Sequence, residues 1–434
     1  MYTKLSKFAV AFAMAAVGVV FTSCKDEVEE AAKITAKINM IEDVEGSISA
    51  DEIKGAKITL TSTQSKDVYT FTVPANVEVD GTNGVSVSVP IGTYDISLEK
   101  TVDGKTIFLR QENVTIKEEN QTIIAKLITT IANSSDFQFI FSEVFFNGER
   151  NAGRMMHPDQ YMVLYNPTEN VLYADGLAIG CTMQASCQEK KSWFDSYYDA
   201  GKVPVHGVIV IPGSGFDHPV KPHDKIVIAF TAINHTNTEG TAQEVNEAGD
   251  TITITYKYEN AVDLTGADFE LYDPQMYAND VDNPEVPNVL EIYPAENDLG
   301  GFGGFYLHPR GFYCPFIFKL ENGEQSTLEA FFRDNSSTAT VQDEDGNSVE
   351  IPMFSIPASM ILDGITTGHI PSDIVTNPLP ATVDRGKQLV KGCHSGLLVK
   401  RKGNDKDGYA DTNNSTEDCE IVTPQTAYPA GWRK

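Results

Sequence analysis

Positive charge is scarce in this chain: 33 Lys+Arg stand against 61 Asp+Glu in 434 residues, a formal net charge of −28. An excess of this size repels phosphate backbones, and the one compact basic group is Lys400-Arg401-Lys402, so nucleic acid is excluded as a partner. Long apolar runs are also lacking, since beyond the first two dozen residues no stretch approaches the ~18 that a spanning helix needs. Cysteine is sparse, six in all, and two of the Gly-rich or His-rich signatures of catalysis are missing: there is no G-x-S-x-G and no H-E-x-x-H. The chain is read as not an enzyme. Disorder is excluded too, because 41% hydrophobic and 22% charged residues are ordinary for a folded protein of two or three domains.

What is present begins with an address. Lys4 and Lys7 precede fourteen apolar residues, Phe8 to Phe21, and then Thr22-Ser23-Cys24. Basic, apolar, small is the order of a secretory signal, and the run is too short to span comfortably. Residues 1–23 are therefore expected to be removed, leaving 31 basic against 61 acidic residues, or −30. The small residues before Cys24 resemble a bacterial lipobox, in which the Cys sulfur is acylated and becomes the new N-terminus. Lys25-Asp26-Glu27-Val28-Glu29-Glu30 follows, and this stretch, 24–31, resembles the acidic export signal of Bacteroidetes-type surface lipoproteins; a solvated tether is the plainer reading. The expected location is the outer membrane, by lipid anchor only. Five cysteines then remain, an odd number that excludes a disulfide scaffold, with Cys181–Cys187 the pair placed to close a small loop and Cys419 expected as a buried substitute for an apolar residue.

Seven short segments with period-two alternation lie between residues 32 and 131, for example Ala56-Lys57-Ile58-Thr59-Leu60-Thr61 and Gly84-Val85-Ser86-Val87-Ser88-Val89. Such spacing predicts an antiparallel sandwich. Val89-Pro90-Ile91-Gly92-Thr93-Tyr94 resembles the P-x-G-x-Y strand of carboxypeptidase-regulatory and transthyretin-like modules, where the Tyr packs against the opposite sheet and the module is more often a spacer than a binder. From residue 136 the texture changes to runs rich in aromatic and β-branched residues. Ser142-Glu143-Val144…Asn147-Gly148 and Asp159-Gln160-Tyr161…Leu164-Tyr165-Asn166-Pro167-Thr168 resemble the opening of a lamin-tail domain, an immunoglobulin-like sandwich. Gly396 to Lys402 and Asp411 to Cys419 resemble its close. The roughly two hundred residues between them, with Ile211-Pro212-Gly213-Ser214-Gly215, Val262 to Glu270 and Asp282 to Leu290, resemble a Bacteroidetes lipoprotein family of unknown function often encoded beside TonB-dependent receptors. The expected fold is thus all-β: two tandem immunoglobulin-like sandwiches, 32–131 and 136–425, the second a lamin-tail-like sandwich enlarged by long insertions.

Candidate chemistry is thin. Asp405, Asp407, Asp411 and Asn413 surround Gly408 with hard oxygen ligands suited to calcium, but lack the bidentate Glu of an EF-hand; a polar hairpin is the preferred reading, and no cofactor beyond possible calcium is expected. Met155-Met156-His157 and the scattered His218, His223 and His308 have no metal-module spacing, and Asp343-Glu344-Asp345 reads as an acidic turn. The Gly-rich run 300–316 carries Phe302, Phe305, Tyr306, Phe312 and Tyr313, a makeup suited to stacking on a sugar, a porphyrin or a partner. Two core strands joined by a bend is the preferred alternative. Trp193, in Ser192 to Tyr198, is the second candidate contact. The family resemblance implies an accessory of a TonB-dependent receptor that captures an iron complex, cofactor or glycan; the other class kept open is a structural or adhesive surface lipoprotein without a small ligand.

Overall fold

The computed structural model describes residues 31–433 except 43–45, 103–104, 132–137, 149–157, 188–191, 237–238, 246–249, 258–259, 275–279, 295–303, 343–345, 370–375 and 393–394. The chain is all-β in class.

In its first part, the seven alternating segments are seven strands: β1 (Lys33–Glu42), β2 (Lys57–Ser62), β3 (Val68–Thr72), β4 (Val85–Pro90), β5 (Gly92–Val102), β6 (Lys105–Ile116) and β7 (Gln121–Ile131). They hydrogen-bond in the order β3-β2-β5-β6-β7-β1-β4, all antiparallel except β1 beside β7. Alternation works as a folding code here because one face of each strand is wet. In β4, Val85, Val87 and Val89 are buried and Ser86 and Ser88 exposed. The inward residues, among them Ile38, Leu60, Ile96, Leu109 and Leu127, make one core. Tyr94 lies in it, 2% exposed, and its hydroxyl donates to the Pro90 carbonyl at 2.6 Å. At Gly84 a Cβ would fall 1.8 Å from the Ile38 carbonyl oxygen, so only glycine allows β4 to start this close to β1.

Two large sheets build the second part. Their strands are β8 (Ile140–Asn147), β9 (Tyr161–Tyr165), β10 (Leu177–Thr182), β11 (Lys202–Val210), β12 (Lys225–Ala229), β13 (Phe269–Glu270), β14 (Leu290–Ile292), β15 (Pro315–Lys319), β16 (Ser336–Gln342), β17 (Ser348–Pro357), β18 (Ile361–Gly364), β19 (Leu397–Arg401) and β20 (Cys419–Val422). One sheet runs β13-β12-β9-β8-β19-β20; the other runs β16-β17-β11-β10-β15-β18, with β14 also on β11. Between them lies a core of Phe141, Val144, Met162, Leu164, Ile179, Ile209 and Ile317, in which Cys419 takes an apolar position.

Every residue of β8, β9, β10 and β12 is buried, which alternation would not give. The cause is a cover on the far face of each sheet. Leu328 and Phe332, one turn apart on the helix Gln325–Asp334, pack with Leu379 and Val383 on Phe316, Phe318 and Phe354 of the seven-stranded sheet. On the six-stranded sheet, Val262, Leu264, Val286 and Tyr428 cover Phe145, Tyr161, Val163 and Val227. The segments outside the two sheets therefore serve as outer layers of core. Among the described residues no core cluster contains members from both sides of 132–137, and the two parts meet where Phe108 of β6 packs edge-on against Phe216 at 4.6 Å between centroids.

Candidate functional site

Polar side chains of the recognised motifs turn out to be structural. Asn147, fully buried, donates to the carbonyls of Pro309 and Gly392 at 2.7 Å each and accepts from the Ser395 backbone N–H and hydroxyl at 2.6 Å each. Asn166 likewise donates to the carbonyls of Asn170, Val220 and Lys221. Glu143, 4% exposed, accepts from the hydroxyls of Tyr161 at 3.3 Å and Tyr428 at 3.2 Å, and burial raises its pKa. Arg401 is interior as well: its guanidinium donates to Asp363 at 2.6 Å, to Asp411 at 3.3 Å and to the carbonyls of Phe141 and Ala410 at 2.8 Å each. On a strand, neighbours point to opposite faces, so Lys400 turns instead toward Glu143 at 3.8 Å and the basic triplet is no surface patch.

The aromatic run divides. Phe305 is fully buried, 6.1 Å from Phe230 between the sheets, which corrects its assignment as a binding residue: it belongs to the core, where an apolar ring is most stable. Tyr306, Phe312 and Tyr313 are half-buried and do come together, joined by two histidines that spacing could not place with them. His308 stacks on Phe312 at 4.6 Å, and Tyr313 meets His206 at 5.7 Å, His308 at 5.8 Å and Tyr306 at 6.2 Å. Cys181, His206, Tyr306 and Tyr313 line a cavity of about 10 Å³, room for one water. Burial lowers the His206 pKa to about 4, so the ring is neutral. Trp193 sits elsewhere, in a cluster with Phe194, Ala339, Val341 and Met353 on the β16–β17 hairpin. Phe302, Cys24, Lys25, Asp26, Glu27 and Glu29 lie outside the described residues, as do Met155-Met156-His157 and Asp343 to Asp345.

The calcium candidates are engaged within the protein. Asp405 accepts from Lys225 Nζ and the Tyr409 hydroxyl, both at 2.7 Å; Asp407 accepts from Asn404 at 3.0 Å; Asp411 is held by Gln138 and Arg401. Asn413 is in the left-handed region, its φ being 55°. Residues 403–404 pair with 408–409 as a tight hairpin, and among the described residues no group of three or more His, Cys, Asp or Glu could hold a metal ion. Each carboxylate is committed to a different partner, so the loop offers no converging donor set. The expected Cys181–Cys187 disulfide is also absent. Cys181 points into the inter-sheet core, while the chain after it is fixed otherwise, Ser186 donating its N–H to Phe312 and its hydroxyl to Thr367 at 2.8 Å each.

The larger opening went unnoticed in the sequence. A cavity of about 210 Å³ is lined by Asp217, His218, Pro219 and Val220, by Asp224, Lys225 and Ile226, by Asp268 and Phe269, and by Arg433. Its apolar floor is the core edge; His218 meets Phe269 edge-on at 5.0 Å. Lys225 is tied to Asp405, and its ammonium lies 5.7 Å from the Tyr428 ring and 5.8 Å from the Trp432 ring. Arg433, stacked on Trp432 at 4.5 Å, forks onto both Asp268 oxygens and reaches Asp224 at 3.7 Å. Burial raises the Asp268 pKa against the pull of Arg433, whereas the Ser214 N–H holds that of Asp217 down. The segment bearing Tyr428 to Arg433 reaches this position because Gly266 has no side chain; a Cβ there would lie 2.2 Å from the Pro429 oxygen. His218, the 268–270 triplet and one of only two Trp were visible in the sequence, but nothing in their spacing joined them.

No curated protein matches the chain. A crystal structure of a DUF4876 family protein from Bacteroides thetaiotaomicron shares the fold, with a TM-score of 0.50 and 19% identity over 92% of this chain and 99% of that one. A candidate adhesin from Bacteroides ovatus aligns with 79% of this chain and 91% of its own at 8% identity, with a TM-score of 0.18 that supports no argument. In sequence, the stretch 221–426, which holds the cavity walls Asp224 to Ile226 and Asp268-Phe269, matches the model of the family described as Protein of unknown function (DUF4876).

Proposed function

We propose that this chain is a lipid-anchored outer-membrane binding protein that serves a TonB-dependent receptor in capturing a nutrient such as an iron complex, a cofactor or a glycan. The observation that carries the reading is the open, charge-lined cavity of about 210 Å³ at the edge of the second sandwich. The lipobox-like order ending at Cys24 and the acidic run after it support the location. An adhesive role without a small ligand draws support from the aromatic cluster, whose own cavity holds no more than a water. Protease shaving of intact cells tests the location: the wild type is cleaved, Cys24→Ala leaves the membrane fraction, and the triple change of Asp26, Glu27 and Glu29 to Ala keeps it membrane-bound but protected. Co-purification of a TonB-dependent receptor with the tagged wild type from solubilised outer membranes tests the partner, and its absence rejects the accessory role.

A further inference from the structure

We infer that the cavity between Asp217, Asp224 and Arg433 binds one neutral saccharide unit; this rests on reading the chain as a binding protein and names the ligand class. Size comes first. About 210 Å³ is below the ~300–1,000 Å³ of pockets for drug-sized ligands, so the occupant is small, a single ring rather than a porphyrin or a ferric chelate.

Charge then removes two classes. Three carboxylates line the cavity against two permanent cations, and both cations already have carboxylate partners, Lys225 in Asp405 and Arg433 in Asp268. An incoming anion meets negative charge with no unengaged cation to offset it, in a chain of net charge −28. A metal ion lacks a donor set among the described residues. A neutral polyol meets neither obstacle.

Hydroxyl groups suit what remains. A carboxylate has about four acceptor positions. Asp224 uses one on the Lys225 N–H at 2.8 Å and faces Arg433 at 3.7 Å, and Asp217 uses two on Ser214, its N–H at 2.6 Å and its side chain. Both therefore retain capacity for hydroxyl donors, while the fixed Arg433 fork and the His218 ring border the same space. Val220, Ile226 and Phe269, only 3–4% exposed, close the base of the cavity with apolar edges beneath the polar rim, the mix of a few placed polar groups over an apolar base that small-molecule sites use.

Saturation-transfer NMR on the full chain tests this, with methyl glycosides of glucose, galactose, mannose and N-acetylglucosamine as probes and glucuronate and inorganic phosphate as anionic comparisons. At least one neutral glycoside is expected to bind, with affinity falling tenfold or more in Asp224→Asn and in Pro219→Trp, which places a large ring at the mouth. Pro219 is exposed, so its replacement leaves the core intact and keeps the test decisive should Asp224→Asn not fold. Binding of the anions alone, binding of nothing in the panel, or affinity unchanged by both variants overturns the inference. Glycoside binding in a protein that fails the shaving assay rejects the surface location and leaves the ligand class standing; surface display without glycoside binding rejects only the ligand class.

Discussion

Arg401 and Asp363 meet at 2.6 Å between the two sheets of the second sandwich, one contributed by each sheet. The other Asp363 oxygen accepts the Phe141 N–H at 2.7 Å, so both sheets and three strands converge on one carboxylate. An ion pair at 3% and 1% exposure gains little over apolar packing, but it is costly to break, because the survivor is a buried charge. Asp363→Ala is expected to lower stability by about 3–5 kcal/mol. Arg401→Lys also destabilises the fold, since an ammonium cannot reproduce the guanidinium fork. Urea midpoints of the two variants against wild type check both statements.

Glu291 gives a pH dependence. Its carboxylate accepts the Phe305 N–H at 2.5 Å from β14, and burial raises its pKa from 4.5 to about 8. The folded state then holds a proton that the unfolded state has released, so this contribution is full below pH 4.5 and is lost as pH rises to about 8. The melting temperature of the wild type should fall across that interval relative to Glu291→Gln, which cannot titrate. Parallel curves for the two proteins would contradict the burial of this group.

Tyr428 pins the segment that carries Trp432 and Arg433 over the outer face of the six-stranded sheet. Removing its hydroxyl leaves Glu143 with one fewer donor, and Tyr428→Phe should cost about 1 kcal/mol. Tyr428→Ala removes a fully buried ring, with an expected loss of about 3–5 kcal/mol. Because Arg433 walls the cavity, the Ala variant should also weaken any ligand bound there while the Phe variant does not, measured on the same samples.

Within the aromatic run, stability should separate what composition cannot. Phe305→Ala is expected to cost about 3–5 kcal/mol, as a filled core position does. Tyr306→Ala, at a half-buried ring, should cost clearly less, and so should Trp193→Ala. Thermal melts of the three variants suffice to check the order.

How far the sequence could be read follows from how many faces of a strand are wet. In β4 the Val-Ser-Val-Ser-Val alternation names the inward residues directly, and all seven strands of the first part were legible this way. In β8 every residue from Ile140 to Asn147 is buried, so the run read as strand but could not say which side met which cover. The helix Gln325–Asp334 escaped notice because its apolar residues, Leu328, Ala330, Phe331 and Phe332, fall within five positions, too short a run to show a helical period. Phe305 and Tyr306 are adjacent and fold to different environments, a distinction that belongs to tertiary packing. The cavity was illegible for the same reason: Asp217, Asp268 and Arg433 are far apart in the chain, and Arg433 reaches the other two where Gly266 lets the 428–433 segment lie against it.

The parallel pairing of β1 with β7 has a mechanical meaning. Ala36 lies level with Gln121 and Glu42 with Leu127, so the chain comes in at one end of this pair and leaves at the other. From the level of Lys33 to Ile131 is about thirteen residues of strand, or about 40 Å at ~3.3 Å per residue. Neighbours locked by a ladder of backbone hydrogen bonds resist stretching and bending together. The first sandwich thus acts as a strut of fixed reach, and the edge-on contact of Phe108 with Phe216 sets a bearing at its far end. The distance between Lys33 and the start of the second sandwich is therefore written into this one pair of strands.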